Sequence, residues 1–301
     1  MSRVSKLPTI MNSNQDEEAI NRYPYHMHIL TVIGTTGAQG GFVVASVLKS
    51  GYYKVRGVTR NVESVAAKAF IAKGVEMVTA DINDVVSLIK VFEGSYTIFV
   101  VTDFQIPFTI KDIKKIVIIE FIQGINCANA VSKITTFEHY IWSTLPDTQK
   151  ISNGKFSVFH FESKLIVDKY IRQNKVLLAK TTFLYISFYA TNFLMPIITP
   201  TLLKTIGKHV QLLPIPEDIP IIIFGATMIN IGIYVFAILQ QPQFILSGRI
   251  VFAEIETFIF WDCVQKKSWI AEDTVIKKED LGLTDLVGIK EVFAGIDWTT
   301  V

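Results

Sequence analysis

The run Ile29-Leu30-Thr31-Val32-Ile33 ends in glycines at positions 34, 37 and 40, and this junction constrains the chain more than any other stretch. A β-branched apolar run of this length reads as a buried strand. Behind the glycines, Phe42, Val43, Val47 and Leu48 recur at helical spacing. Strand, glycine turn and helix in succession let the free N–H groups of a helix start face a phosphate. Gly34 would permit the tight turn, Gly37 a close approach of backbone to ligand, and Gly40 the packing of helix against strand. A glycine-rich turn without a ligand is the alternative reading of the same residues.

One βαβ unit later, residues 53–60 read as a second strand that ends in Arg60. A dinucleotide site for NAD commonly has an acid here, to take the ribose 2′-hydroxyl. A guanidinium with no carboxylate beside it suits a 2′-phosphate instead, so NADP is favoured over NAD. The alternative is a solvated Arg at a strand end.

Strand and helix continue to alternate. Helices are expected over 62–73, over a segment opened by Asp81-Ile82-Asn83-Asp84, and over 111–133 and 155–174; strands over 75–81, 96–102, 137–144 and 176–182. Asp81 or Asn83 is expected to cap its helix, with Ile82 available to a flat base. The strand 96–102 is apolar on both faces, as a central parallel strand is. This alternation predicts an α/β fold, a doubly wound parallel sheet of Rossmann type. Ligands bind beyond the carboxyl ends of such strands, which brings forward the loop Thr102-Asp103-Phe104-Gln105 and Ser143. His160, Lys164 and Asp168 are four apart and share a helix face.

Past Thr182 the pattern loosens into an aromatic stretch that includes Phe183, Tyr185, Phe188, Tyr189, Phe193 and Met195, which either lines an apolar pocket or packs the core. The expected organisation is a flexible extension over 1–26, a dinucleotide-binding domain over 27–182, and a smaller C-terminal α/β substrate or partner lobe over 183–301 that is interleaved with the sheet. A hydrophobic content of 50% is ample for that core. The net charge of +2, without a dense basic stripe, excludes an electrostatic nucleic-acid binder. No apolar signal core opens the chain, and Cys127 and Cys263 give no metal spacing or disulfide framework. No metal is expected, and the expected compartment is reducing and cytoplasmic. The apolar run 219–239 contains Pro220, Gly225, Asn230 and Gly232, which argues for a strand, a turn over 225–230 and a buried helix rather than a membrane span. Trp261, Trp269 and Trp298 are expected to pack against the sheet or a partner.

Together these segments resemble the NmrA-like branch of the atypical short-chain dehydrogenase/reductase superfamily. The resemblance is carried by Gly34-Thr35-Thr36-Gly37-Ala38-Gln39-Gly40-Gly41, Val58-Thr59-Arg60-Asn61, Thr79-Ala80-Asp81, Trp142-Ser143-Thr144-Leu145-Pro146, His160-Phe161-Glu162-Ser163-Lys164 and the stretch from Phe188 to Leu194. It runs from about Ile29 to about Leu239. It implies NADP(H) with its pyrophosphate on Gly34 to Gln39 and its 2′-phosphate near Arg60, Asn61 and Ser64. Ile82 and Asn83 would flank the adenine, and Asp103, Phe104 and Gln105 the nicotinamide. Lys164 would reach the ribose, and Ala190, Thr191, Asn192 and Phe193 would close the far wall. In the wider superfamily a Ser–Tyr–Lys set does the chemistry; Ser143 and Lys164 match it, while the Tyr slot holds His160.

That substitution leaves two functions from the resemblance. One is an NADP(H)-dependent oxidoreductase acting on a small apolar carbonyl, imine or activated alkene, with His160 as proton donor. The other is a non-catalytic redox-sensing regulator, nuclear as well as cytoplasmic, that contacts a protein partner or a second copy of itself. Two further departures from the family pattern are Asn230, where an acid is common, and Ile122, where some members have Lys.

Overall fold

The computed structural model describes residues 28–103, 112–155, 157–195, 199–210, 222–253, 256–257 and 275–296. Residues 1–26, Phe104, Gln105, Cys263, Trp261, Trp269 and Trp298, for which expectations are given above, lie outside the described residues.

The alternation read from the sequence builds one sheet. Strands β1 (His28–Val32), β2 (Tyr53–Thr59), β3 (Glu76–Thr79), β4 (Thr97–Val100), β5 (His139–Thr144) and β6 (Thr181–Ile186) stand in the order β3-β2-β1-β4-β5-β6. Two later strands of that sheet, Arg249–Ala253 and Val275–Ile276, extend the β6 edge, and every pair in it is parallel. Strand order reverses between β1 and β4: β2 and β4 flank β1, and both pair with its residues Leu30, Thr31 and Val32. That reversal opens a crevice at the carboxyl ends of the strands.

Helices cover both faces. On one face lie α1 (Ala38–Ser50) and a helix at Thr227–Gln240, with a core containing Leu30, Val43, Val47, Phe99, Tyr234 and Val251. On the other lie Val85–Phe92, Ile113–Val131 and Phe159–Gln173, with a core containing Leu88, Ile98, Cys127, Trp142, Val167 and Phe252. Both cores are contiguous with the central strands, which is why β4 and β5 are buried at every residue. Among the described residues no helix is long and apolar enough to cross a membrane.

Several local expectations need correction. The segment 176–182 is not a strand. Asn174 accepts the Leu177 N–H and caps a helical turn over Lys175–Ala179. The strand begins only at Thr181 and runs through the aromatic residues Phe183 and Tyr185. The 182/183 boundary therefore falls inside β6. The helix after β3 is capped by Asp84, whose carboxylate accepts the Val86 N–H. Asp81 is occupied instead with the N–H and the side chain of Asn83. The turn expected over 225–230 is shorter, because the helix starts at Thr227 and takes Asn230 into its first turn. There the Asn230 amide is fully buried and binds Phe224 O, Val287 O and Val287 N. An uncharged amide both donates and accepts, so it ties this helix to the C-terminal segment, where a buried carboxylate could only accept.

The helix at Thr227–Gln240 lies on α1 through a glycine. A Cβ on Gly232 would stand 1.9 Å from Ser46 Oγ and 2.6 Å from Phe42 O. We expect Gly232→Ala to lower the unfolding free energy by about 1–3 kcal/mol in urea titrations. Ser46→Ala in the same background should recover part of it. An unchanged midpoint in the single variant would show that the two helices do not touch at this point.

Candidate functional site

At the strand-order reversal the chain folds into a cleft of about 1190 Å³. One end is made by the β1–α1 turn. Gly34 has φ +79°, a left-handed conformation that only glycine adopts without strain. A Cβ on Gly40 would lie 2.2 Å from the Gly34 carbonyl oxygen, so α1 can start this close to the turn only because position 40 is glycine. Gly37 is the N-cap residue and α1 has no side-chain cap. Its first amides are left for a ligand, and the helix dipole adds positive potential at the same place.

Thr35 anchors the turn from below. It is fully buried, and its hydroxyl donates to Val32 O at 2.7 Å and accepts from the Val58 N–H at 3.1 Å. This ties the turn to β2, where Arg60 follows the last strand residue and lines the cleft. Among the described residues nothing pairs with the Arg60 guanidinium, and Ile82 and Asn83 line the same end. The two residues expected beside Arg60 are engaged locally. Asn61 accepts the Glu63 N–H, and Ser64 accepts the Ala67 N–H as the N-cap of the helix Val65–Ile71. Neither lines the cleft.

The other end is walled by Asp103, Ser143, His160, Lys164, Tyr189 and Asn192. Of the expected wall over 190–193 only Asn192 lines the cleft. Ala190 is fully buried, and Phe193 packs edge-on against Phe188 and Phe293.

Lys164 is held more tightly than the sequence suggested. Its ammonium lies 3.0 Å from Glu120 Oε1, 2.8 Å from Thr102 Oγ1 and 3.1 Å from Thr102 O. Three acceptors match the three protons of an ammonium. Glu120 is 2% exposed, accepts the Thr102 hydroxyl at 2.8 Å, and also accepts the Ser163 hydroxyl. A lone acid on the inward face of the apolar helix Ile113–Val131 was the available signal, since Ile116, Glu120 and Gly124 are four apart and all buried.

Four residues beyond Lys164, the buried Asp168 accepts Trp142 Nε1–H at 2.7 Å and the Thr144 hydroxyl at 2.8 Å. Burial pushes its carboxyl up to about 7, opposed by those two bonds and by Arg172 and Lys164. His160 is pushed below its usual range by loss of water, opposed by Glu120 and reinforced by Lys164. The imidazole is therefore neutral at pH 7. Gln39 spans the cleft, accepting the Ser143 hydroxyl at 2.7 Å and donating to Tyr189 Oη at 2.6 Å. Among the described residues no group of His, Cys, Asp and Glu could hold a metal ion.

The model of the NmrA-like family matches residues 27–264. An NmrA-like family domain-containing oxidoreductase of Aspergillus hancockii, hkm9, is 30% identical over 177 residues, covering 59% of this chain and 51% of that protein. Another, notA of an Aspergillus species, is 34% identical over 148 residues, covering 47% of this chain and 41% of the relative. The chain thus spans about half or less of the curated relatives' length. The solved structure of NmrA, a negative transcriptional regulator in complex with NAD, superposes with a TM-score of 0.63 at 21% identity, covering 78% of this chain and 68% of that one. At that identity the likeness is one of fold.

The Glu120–Lys164 pair makes a stability prediction. Glu120→Gln leaves a buried ammonium without its counter-charge and should cost about 3–5 kcal/mol. The double variant Glu120→Gln with Lys164→Met removes both charges and should be more stable than Glu120→Gln alone. Urea unfolding of the two variants checks this; equal losses would mean that the pair is not coupled.

Proposed function

The chain belongs to the NmrA-like family, and from that premise we propose that it is an NADP(H)-dependent oxidoreductase acting on a small, largely apolar molecule. The observation that carries the reading is the Gly34–Gly40 close approach, which leaves the uncapped start of α1 facing the cleft. Its free amides suit a pyrophosphate. The lining of the cleft supports this reading: a cofactor bound there would have its diphosphate at the α1 start, its 2′-phosphate toward Arg60, its adenine toward Ile82 and Asn83, and its nicotinamide half toward Asp103, Asn192 and Lys164. When bound, such a cofactor supplies or accepts a hydride.

NADP rather than NAD rests on Arg60, which faces the cleft and has no ion-pair partner among the described residues. The curated relatives named as oxidoreductases favour a reaction over sensing alone. In this reading Lys164 acts as an anchor. With its protons directed to Glu120 and Thr102, it fixes the start of the β4 loop against two helices. Ser143 orients its neighbours through Gln39.

Calorimetric titration with NADPH and NADH tests the cofactor. The wild type should prefer NADPH. Arg60→Ala should weaken NADPH about 10–100-fold and leave NADH nearly unchanged, as expected when one charge-assisted phosphate contact is removed. Equal loss for both dinucleotides would detach Arg60 from the 2′-phosphate, and absence of binding to either would remove the reading altogether.

A further inference from the structure

We propose that Tyr189 is the proton donor to the oxygen of a carbonyl substrate, its hydroxyl aimed by Gln39. The proposal rests on the oxidoreductase reading and names both a catalytic group and a substrate class for it.

The direction of the hydrogen bonds around Gln39 singles out Tyr189. The Ser143 hydroxyl donates to Gln39 Oε1, and the Gln39 Nε2–H donates to Tyr189 Oη. Tyr189 is therefore an acceptor in this chain of bonds and keeps its own O–H. Among the described residues no acceptor takes that hydrogen, and Tyr189 lines the cleft. The Tyr189 hydrogen is left at this end of the cleft, which Ser143 and Asn192 also line. Tyr189 follows β6, a different element from the helix that carries Lys164, so a phenol reaches the cleft although the helical slot holds His160.

The ionisation of the two candidates points the same way. Burial pushes the Tyr189 phenol above its usual range, the Gln39 bond opposes this, and the charge of Asp103 adds to it. The groups that share its end of the cleft are Asp103, Ser143, His160, Lys164 and Glu120. Tyr189 thus keeps its proton through neutral and mildly alkaline pH, where His160 has already lost its charge.

The step balances with NADPH as the reductant, which would give up the hydride and be left as NADP⁺. The carbonyl carbon receives the hydride, the C=O π pair moves onto oxygen, and that oxygen takes the Tyr189 proton. The resulting phenolate is stabilised by the Gln39 N–H and regains a proton from water.

The test is single-turnover oxidation of NADPH by the full chain, with phenanthrenequinone as the carbonyl probe, from about pH 6.5 to about pH 9. NADPH binding of each variant is measured separately by calorimetry. The expected results are a rate in the wild type that stays level across this range, and a loss of about 10²–10⁴-fold in Tyr189→Phe that still binds NADPH. A rate that falls steadily as pH rises, with the loss confined to His160→Ala, would assign the donor to His160 and overturn the proposal. Loss on Ser143→Ala with full activity in Tyr189→Phe would reverse the direction of the Gln39 bonds and overturn it equally. Wild type that binds NADPH but does not turn over the quinone would point to a sensor; the oxidoreductase reading then fails, and Tyr189 with it.

Discussion

The architecture depends on the contact between the first turn of α1 and the carbonyl of Gly34. No side chain fits there: a single methyl group at position 40 would overlap a backbone oxygen. A steric constraint of this kind cannot be relieved by repacking a flexible neighbour, because both sides are main chain. It fixes where α1 begins, and therefore where its free amides point. The surroundings hold the same geometry. Thr35 ties the turn to β2, Gly57 lets β2 approach Thr35, and Gly232 lets the helix Thr227–Gln240 lie on α1.

The two ends of the cleft are built on different principles. The α1 end is main chain and a cation without a partner among the described residues, open to an anion. The other end is a buried polar network in which almost every donor has an acceptor. Lys164, Glu120, Thr102 and Ser163 satisfy one another, and so do Asp168, Trp142 and Thr144. Such networks fix geometry because a half-satisfied member is costly in a low dielectric. Against that background the Tyr189 hydroxyl, whose hydrogen has no acceptor among the described residues, is the group proposed here for chemistry rather than structure.

Much of this was legible in the sequence, for physical reasons that can be named. Glycine spacing is set by backbone sterics, so the turn and the start of α1 were readable. Central parallel strands are rich in apolar and β-branched residues, so β1 and β4 were readable as well. The misplaced β6 has a local cause: Val176-Leu177-Leu178 is an apolar run without periodicity, and only the Asn174 cap turns it into helix. Asp84 won the capping position over Asp81 and Asn83 because those two bond each other. Glu120 and Tyr189 were not singled out, since their roles come from partners far away in sequence, Lys164 and Gln39. Ser64 and Phe193 show the converse, as motif positions whose side chains are used in a helix cap and in packing.

The most direct measurement of the central claim is a titration of the ¹⁵N-labelled, deuterated chain with NADP, followed through its backbone amide resonances. The account predicts that the N–H signals of Ala38, Gln39 and Gly40 shift downfield together, saturating with the Arg60 side-chain signal. If those three amides stay in place while the chain binds the dinucleotide elsewhere, or if no amide moves at all, the start of α1 is not a phosphate site and the account is contradicted.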